Sequence, residues 1–147
     1  MASAADRGVQ DAAVVLARAL RRPSVDFATA ISRSVRSNDE WFDEPDDIDG
    51  LAQALSAVDN IDDRIVAAGV LAFRVTRAQA FGEGNKRTAL ILSRWILDRN
   101  EVNGSSIIRP DDYVLADLLV KPASGLDVET EIVNLLLQRA KKPSGNA

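Results

Sequence analysis

Gln79-Ala80-Phe81-Gly82-Glu83-Gly84-Asn85-Lys86-Arg87-Thr88-Ala89 separates two almost unbroken apolar stretches, Ile65 to Val75 and Ala89 to Leu97. Both stretches read as helices. A helix that is apolar nearly all round is buried on every side. The pair therefore predicts two central helices joined by one polar loop, with further helices wrapped around them. The loop itself holds two glycines, a carboxylate, an amide and two cations. Glycine lets a backbone approach a ligand closely. The first turn of the helix that follows offers unpaired N–H groups and the positive end of a dipole. Lys86 and Arg87 add charge and forked donors. Such a loop can cradle phosphate. It can equally be a polar turn of a helical hairpin whose first helical turn is solvated.

Outward from this loop the chain reads as helical throughout. Upstream, the first central helix is expected from about Asp62 to Gln79, with acids and capping residues in Asp59 to Asp63 and a close helix crossing at Gly69. Asp49 to Val58 forms a short helix with Leu51, Ala54 and Leu55 inward. Ser37 to Asp49 is a polar loop carrying Trp41 and Phe42 among acids. Those aromatics either pin the loop to the core or are presented to a partner. Ser24 to Asp26 caps a helix with Phe27, Ile31 and Val35 on one face. A helix from Val9 precedes it, ended by Pro23, its arginines read as solvated. Downstream, the second central helix runs from about Asn85 to Arg99, with Trp95 in the core. Asn103-Gly104 makes a turn, and Ser105 to Ile108 reads as a short extended piece. Pro110 suits a first helical position, Tyr113 to Val120 continues that helix, and Pro122 with Ser124-Gly125 breaks it. Asp127 to Ala140 is a last amphipathic helix with Ile132, Leu135 and Leu136 inward. The expected fold is an all-α bundle of six to seven helices in a single domain spanning residues 1–147, with loose tails at 1–8 and 141–147.

Composition bounds the chemistry. The 147 residues are 46% apolar and 27% charged, ordinary for a soluble globular chain. A net charge of −4 argues against a nucleic-acid partner. Without cysteine there is no disulfide or thiol chemistry, and without histidine the commonest general base and transition-metal ligand are missing. No apolar run approaches membrane-spanning length and the start of the chain lacks a signal-peptide pattern, so a cytoplasmic protein is expected.

The loop resembles the signature of the Fic/Doc family, His-x-Phe-x-(Asp/Glu)-(Gly/Ala)-Asn-(Gly/Lys)-Arg, and Lys86-Arg87-Thr88-Ala89 is similar to the Doc toxin branch. Val114-Leu115-Ala116-Asp117-Leu118 with Ala123-Ser124-Gly125 is similar to the later part of Doc-type proteins, so the resemblance extends from about Trp41 to Ala140. It implies a helical fold and a nucleotide-dependent transferase. Family members move AMP from ATP to a protein hydroxyl, and Doc-type toxins phosphorylate a translation factor. It further implies Mg²⁺ held by Glu83 and phosphates held by Gly82, Gly84, Asn85, Lys86 and Arg87. Lys86 and Arg87 would also face the reacting phosphate. Phe81 would anchor the loop, and the loop of Trp41 and Phe42 would stand where relatives dock their target. Leu90 stands where many AMP-transferring relatives carry a second arginine, which leans toward the phosphotransfer branch. The self-inhibitory motif of some relatives is absent, so restraint would come from a separate antitoxin chain.

One position departs. Gln79 stands where the family's catalytic histidine acts as base, and an amide accepts no proton near neutral pH. Three explanations stay open: a nucleotide-binding pseudoenzyme, an inactivated toxic protein, or a different transfer reaction with Glu83 as base. A non-catalytic binding module of the same fold is the competing function.

Overall fold

The computed structural model describes residues 20–35, 47–81, 84–109 and 111–141. Among the described residues there are seven helices and no strand: α1 Val25–Val35, α2 Ile48–Ser56, α3 Arg64–Ala78, α4 Asn85–Arg99, α5 Gly104–Ile107, α6 Tyr113–Ala123 and α7 Glu129–Lys141. The fold is all-α. The helix expected from Val9 up to residue 19, the loop with Trp41 and Phe42, Gly82, Glu83, Pro110 and the tail from residue 142 lie outside the described residues.

α3 is the axis of the bundle. Asp63 caps its start, its carboxylate accepting from the N–H groups of Ile65 and Val66. Ala67 through Phe73, Val75 and Thr76 are all buried, as expected for a helix without a polar face. α4 lies alongside it, and α2, α6 and α7 also pack on α3 while α1 and α5 flank α4. Phe73, Leu71, Leu92, Ile96 and Leu97 of this pair meet Leu51, Leu115, Leu119, Ile132 and Leu136 in the core. The expected crossing at Gly69 is real: a Cβ there would stand 3.0 Å from the Val133 Cα of α7. On α1, Ser24 caps through its Oγ, and the deepest residues are Ala28 and Ser32, with Phe27 and Ile31 at the edge. Phe27 meets Trp95 with ring centroids 4.7 Å apart.

Several local expectations fail for identifiable reasons. Residues 20–24 are not helical. Arg22 is not solvated there: its guanidinium donates to the carbonyls of Val58, Ile61 and Leu20, satisfying backbone acceptors that no helix serves. Of Ser105 to Ile108 only Ile108 is extended; Gly104–Ile107 makes one helical turn. Gly104 permits it, since a Cβ would meet the Arg94 carbonyl oxygen at 2.7 Å. α6 begins at Tyr113, after Asp111 and Asp112, which are expected inside it, because Asp112 takes the capping position and accepts from Leu115 N–H. Pro122 does not end it. Only Ala123 follows in the helix, and the N–H groups of Ser124, Gly125 and Leu126 close the last turn on Val120, Lys121 and Pro122. Lys141 belongs to α7 rather than to a tail.

Candidate functional site

The turn from α3 to α4 is built on two residues in the left-handed region. Gln79 ends α3 with φ 47° and ψ 42°, so the helix stops at Ala78, one residue before the expected end at Gln79. Its backbone N–H and its side-chain Nε2 both donate to the Thr76 carbonyl, the latter at 2.6 Å. A carbonyl left over at the helix end is thus served twice by one residue. Gly84 precedes α4 with φ 76°, a conformation that excludes most side chains.

Between these two points the chain is fastened from both sides. The Ala80 carbonyl accepts from Asp47 N–H at 3.2 Å. Asp47 in turn caps α2, its carboxylate accepting from Gly50 N–H. Sequence reasoning missed Asp47 because it sits in an acidic run where any residue can cap. Phe81 is buried at 2% exposure. Asn85, the first residue of α4, holds it by both backbone groups: Oδ1 accepts from Phe81 N–H at 3.0 Å and Nδ2 donates to Phe81 O at 2.8 Å. Asn85 Nδ2 also reaches Gln79 Oε1 at 3.5 Å. The amide of Asn85 is therefore spent on the shape of the turn. What it leaves for a ligand is the backbone of the helix start.

Electrostatically this helix start is unusual. No acid lies in its first turn, Gly84 supplies no side-chain cap, and the cations Lys86 and Arg87 stand there instead. Each opposes the helix dipole at a cost of about 0.3–1 kcal/mol. Lys86 is exposed and has no hydrogen-bond or ion-pair partner among the described residues. Arg87 is exposed and donates from Nη1 to the Val35 carbonyl at the end of α1, at 3.0 Å. The hydroxyls of Thr76 and Thr88, one on each central helix, are fully buried without a partner. The structure thus brings Gln79, Gly84, Asn85, Lys86 and Arg87 to one turn, while Gly82 and Glu83 lie outside the described residues. Among the described residues no group of three or more His, Cys, Asp or Glu side chains is placed to hold a metal ion. No described helix is long and apolar enough to cross a membrane.

Comparison with curated proteins and with solved structures gave no match. The model of the Fic/DOC family matches residues 11–97. That span starts earlier than the resemblance in the sequence does and stops within α4, so it does not include the C-terminal stretch around Val114 to Gly125. It does take in α1, α2, α3, the whole turn and nearly all of α4. A match over more than half of the chain, on a helical frame centred on that turn, makes this chain a member of the Fic/DOC family.

Proposed function

We propose that the chain is a Doc-like nucleotide-binding transferase scaffold whose acceptor is a protein hydroxyl and whose turnover is suppressed by Gln79. The observation that carries this reading is the first turn of α4. It opposes its own dipole with two cations and no acid, an arrangement that an incoming anion relieves. Local rules are broken most often where a ligand completes them.

A nucleotide fits the residues present. Its phosphates would meet the N–H groups at the start of α4, the Lys86 ammonium and the Arg87 guanidinium. For Arg87, this means exchanging or sharing the Val35 carbonyl. By the resemblance, Glu83 would supply the carboxylate to a Mg²⁺ ion held otherwise by phosphate oxygens and water, since such sites use one or two carboxylates rather than a protein cage. Bound there, it would neutralise charge on the phosphates. Transfer requires that the acceptor hydroxyl lose its proton as its oxygen attacks phosphorus and the phosphate leaving group departs. By the resemblance, Gln79 stands where relatives carry the histidine that would take that proton. Its amide has no basic lone pair on nitrogen, and Nε2 is already committed to the Thr76 carbonyl. Loss of a positioned base lowers the rate by about 10²–10⁴. A toxin role with an antitoxin partner and a translation factor as target follows the Doc-like reading.

The test compares the unmodified chain with Gln79→His, using α- and γ-labelled ATP and cell extract, with nucleotide binding followed by calorimetry. Label on a protein only with the histidine, and nucleotide bound by both, is the expected result. Absence of both label and binding for either variant overturns the proposal. Label from the unmodified chain overturns the suppression by Gln79 and leaves Glu83 as the alternative base.

A further inference from the structure

We infer that the solvent face of α6 is the contact surface of a homodimer in which two copies of this helix pack antiparallel about a two-fold axis. The face is set by what the core does not use. Leu115, Leu119 and Pro122 are buried, which turns Tyr113, Val114, Asp117, Val120 and Lys121 to solvent. Exposures of 77% for Tyr113, 58% for Val114 and 48% for Val120 are high for apolar side chains sharing one helix face. Leu126, just past the helix end, is 57% exposed. Singly such residues need no explanation, but a grouped set marks an interaction surface.

The charges on this face select the occupant. Asp117 and Lys121 are four residues apart and stand on the same side of α6, yet among the described residues neither forms an ion pair. Opposite charges at this spacing are self-complementary under a two-fold axis. An antiparallel copy placed with Asp117 level with the partner's Lys121 necessarily puts Lys121 level with the partner's Asp117. The same register sets Val120 against its own copy near the axis. It also carries Tyr113 to the level of the partner's Gly125, beside the partner's Leu126. Gly125 has open space where a Cβ would project, with nothing within 4 Å, so an aromatic ring can lie there. The Asp117–Lys121 pair, the small residue and the aromatic ring are matched by one register. Asp111 and Asp127 fall at the rim, where salt screens their mutual repulsion. A helix of this length spans only about 16 Å, so the interface belongs to the small, transient class and its dissociation constant is on the order of 100 µM.

The test is sedimentation equilibrium of the full chain from about 10 µM to about 1 mM, bracketing that constant. The unmodified chain is expected to show a monomer–dimer equilibrium. Asp117→Lys and Lys121→Asp each place like charges opposite one another twice and weaken the dimer about tenfold or more, while the double exchange restores it. Tyr113→Ser abolishes it. Circular dichroism checks that each variant keeps its helices, which these exposed positions permit. A chain that stays monomeric throughout, or single variants that dimerise unchanged, or a folded double exchange that does not recover, overturns the inference.

Discussion

Two of the polar clamps that hold backbone among the described residues are made of opposite materials. At the turn between α3 and α4 the clamp is neutral: the amide of Asn85 grips both backbone groups of Phe81, and the amide of Gln79 closes the end of α3. Between α5 and α6 the clamp is ionic. Asp112 caps α6 while its buried carboxylate takes two donors from Arg139 of α7 and one from Arg109 N–H, and Arg139 also donates to the Ile107 carbonyl. The ionic clamp cancels its own charge and presents nothing to a ligand. The neutral clamp fixes shape without spending charge, so among the described residues no carboxylate answers the dipole of α4, Lys86 or Arg87 beside it. A site for an anion needs the second construction; a joint between helices is served by the first.

If that contrast is right, the two clamps fail differently. The largest effect is expected at the joint. Arg139→Ala leaves a buried carboxylate without its partner and should cost about 3–5 kcal/mol of stability, measured by urea denaturation, with nucleotide affinity of the folded protein unchanged. Asn85→Ala comes next. It removes the two hydrogen bonds from the amide to the Phe81 backbone, at about 0.5–1.5 kcal/mol each, and should also weaken nucleotide binding because the turn loses its shape. An Asn85→Ala protein of full stability would show that the amide grip is incidental.

Acid separates the clamps without mutation. Burial works to raise the Asp112 carboxyl pKa, but the hydrogen bond from Arg139, those from Leu115 and Arg109 N–H, and the Arg139 charge together hold it below its ordinary value. A carboxylate whose folded pKa lies below its unfolded one, about 3.9, contributes its full stability above that unfolded value and loses it as pH falls through the folded one. Thermal stability should therefore drop steeply below about pH 4 in the unmodified chain, and less steeply in Asp112→Asn. The amide clamp has nothing to titrate. A slope equal in both proteins would remove Asp112 as the acid-sensitive joint.

The smallest effect is expected at Gln79. Histidine is enriched at positive φ, so Gln79→His suits the backbone there, while it forfeits the bond to the Thr76 carbonyl. These oppose each other, and stability should change by less than about 1 kcal/mol. A larger loss would mean that this turn has been rebuilt around the amide.

The same contrast explains what the sequence made legible. The central helices, the caps at Ser24 and Asp63, the inward face of α2 and the crossing at Gly69 follow from periodicity and capping chemistry, which are local. The position of the turn followed for the same reason. The use made of its residues did not. Asn85 reads as one polar residue in a polar run, and only the path of the chain brings Phe81 back within reach of its amide. Arg22 reads as a solvated charge, and nothing in the sequence singles out Arg139, because the Val58 and Ile61 carbonyls and the Asp112 carboxylate they serve lie 27 or more residues away along the chain. The turn at Gly104–Ile107 is too short for any period to show.

The central claim is that the start of α4 is an anion site held open by a neutral clamp. Calorimetric titration of ATP into the unmodified chain and into Lys86→Glu tests it most directly, because Lys86 is exposed and without a partner, so its exchange leaves the fold alone. Saturable binding that is weakened about tenfold or more by the exchange is the predicted result. Equal binding by the two proteins, or none by the unmodified chain, would contradict it.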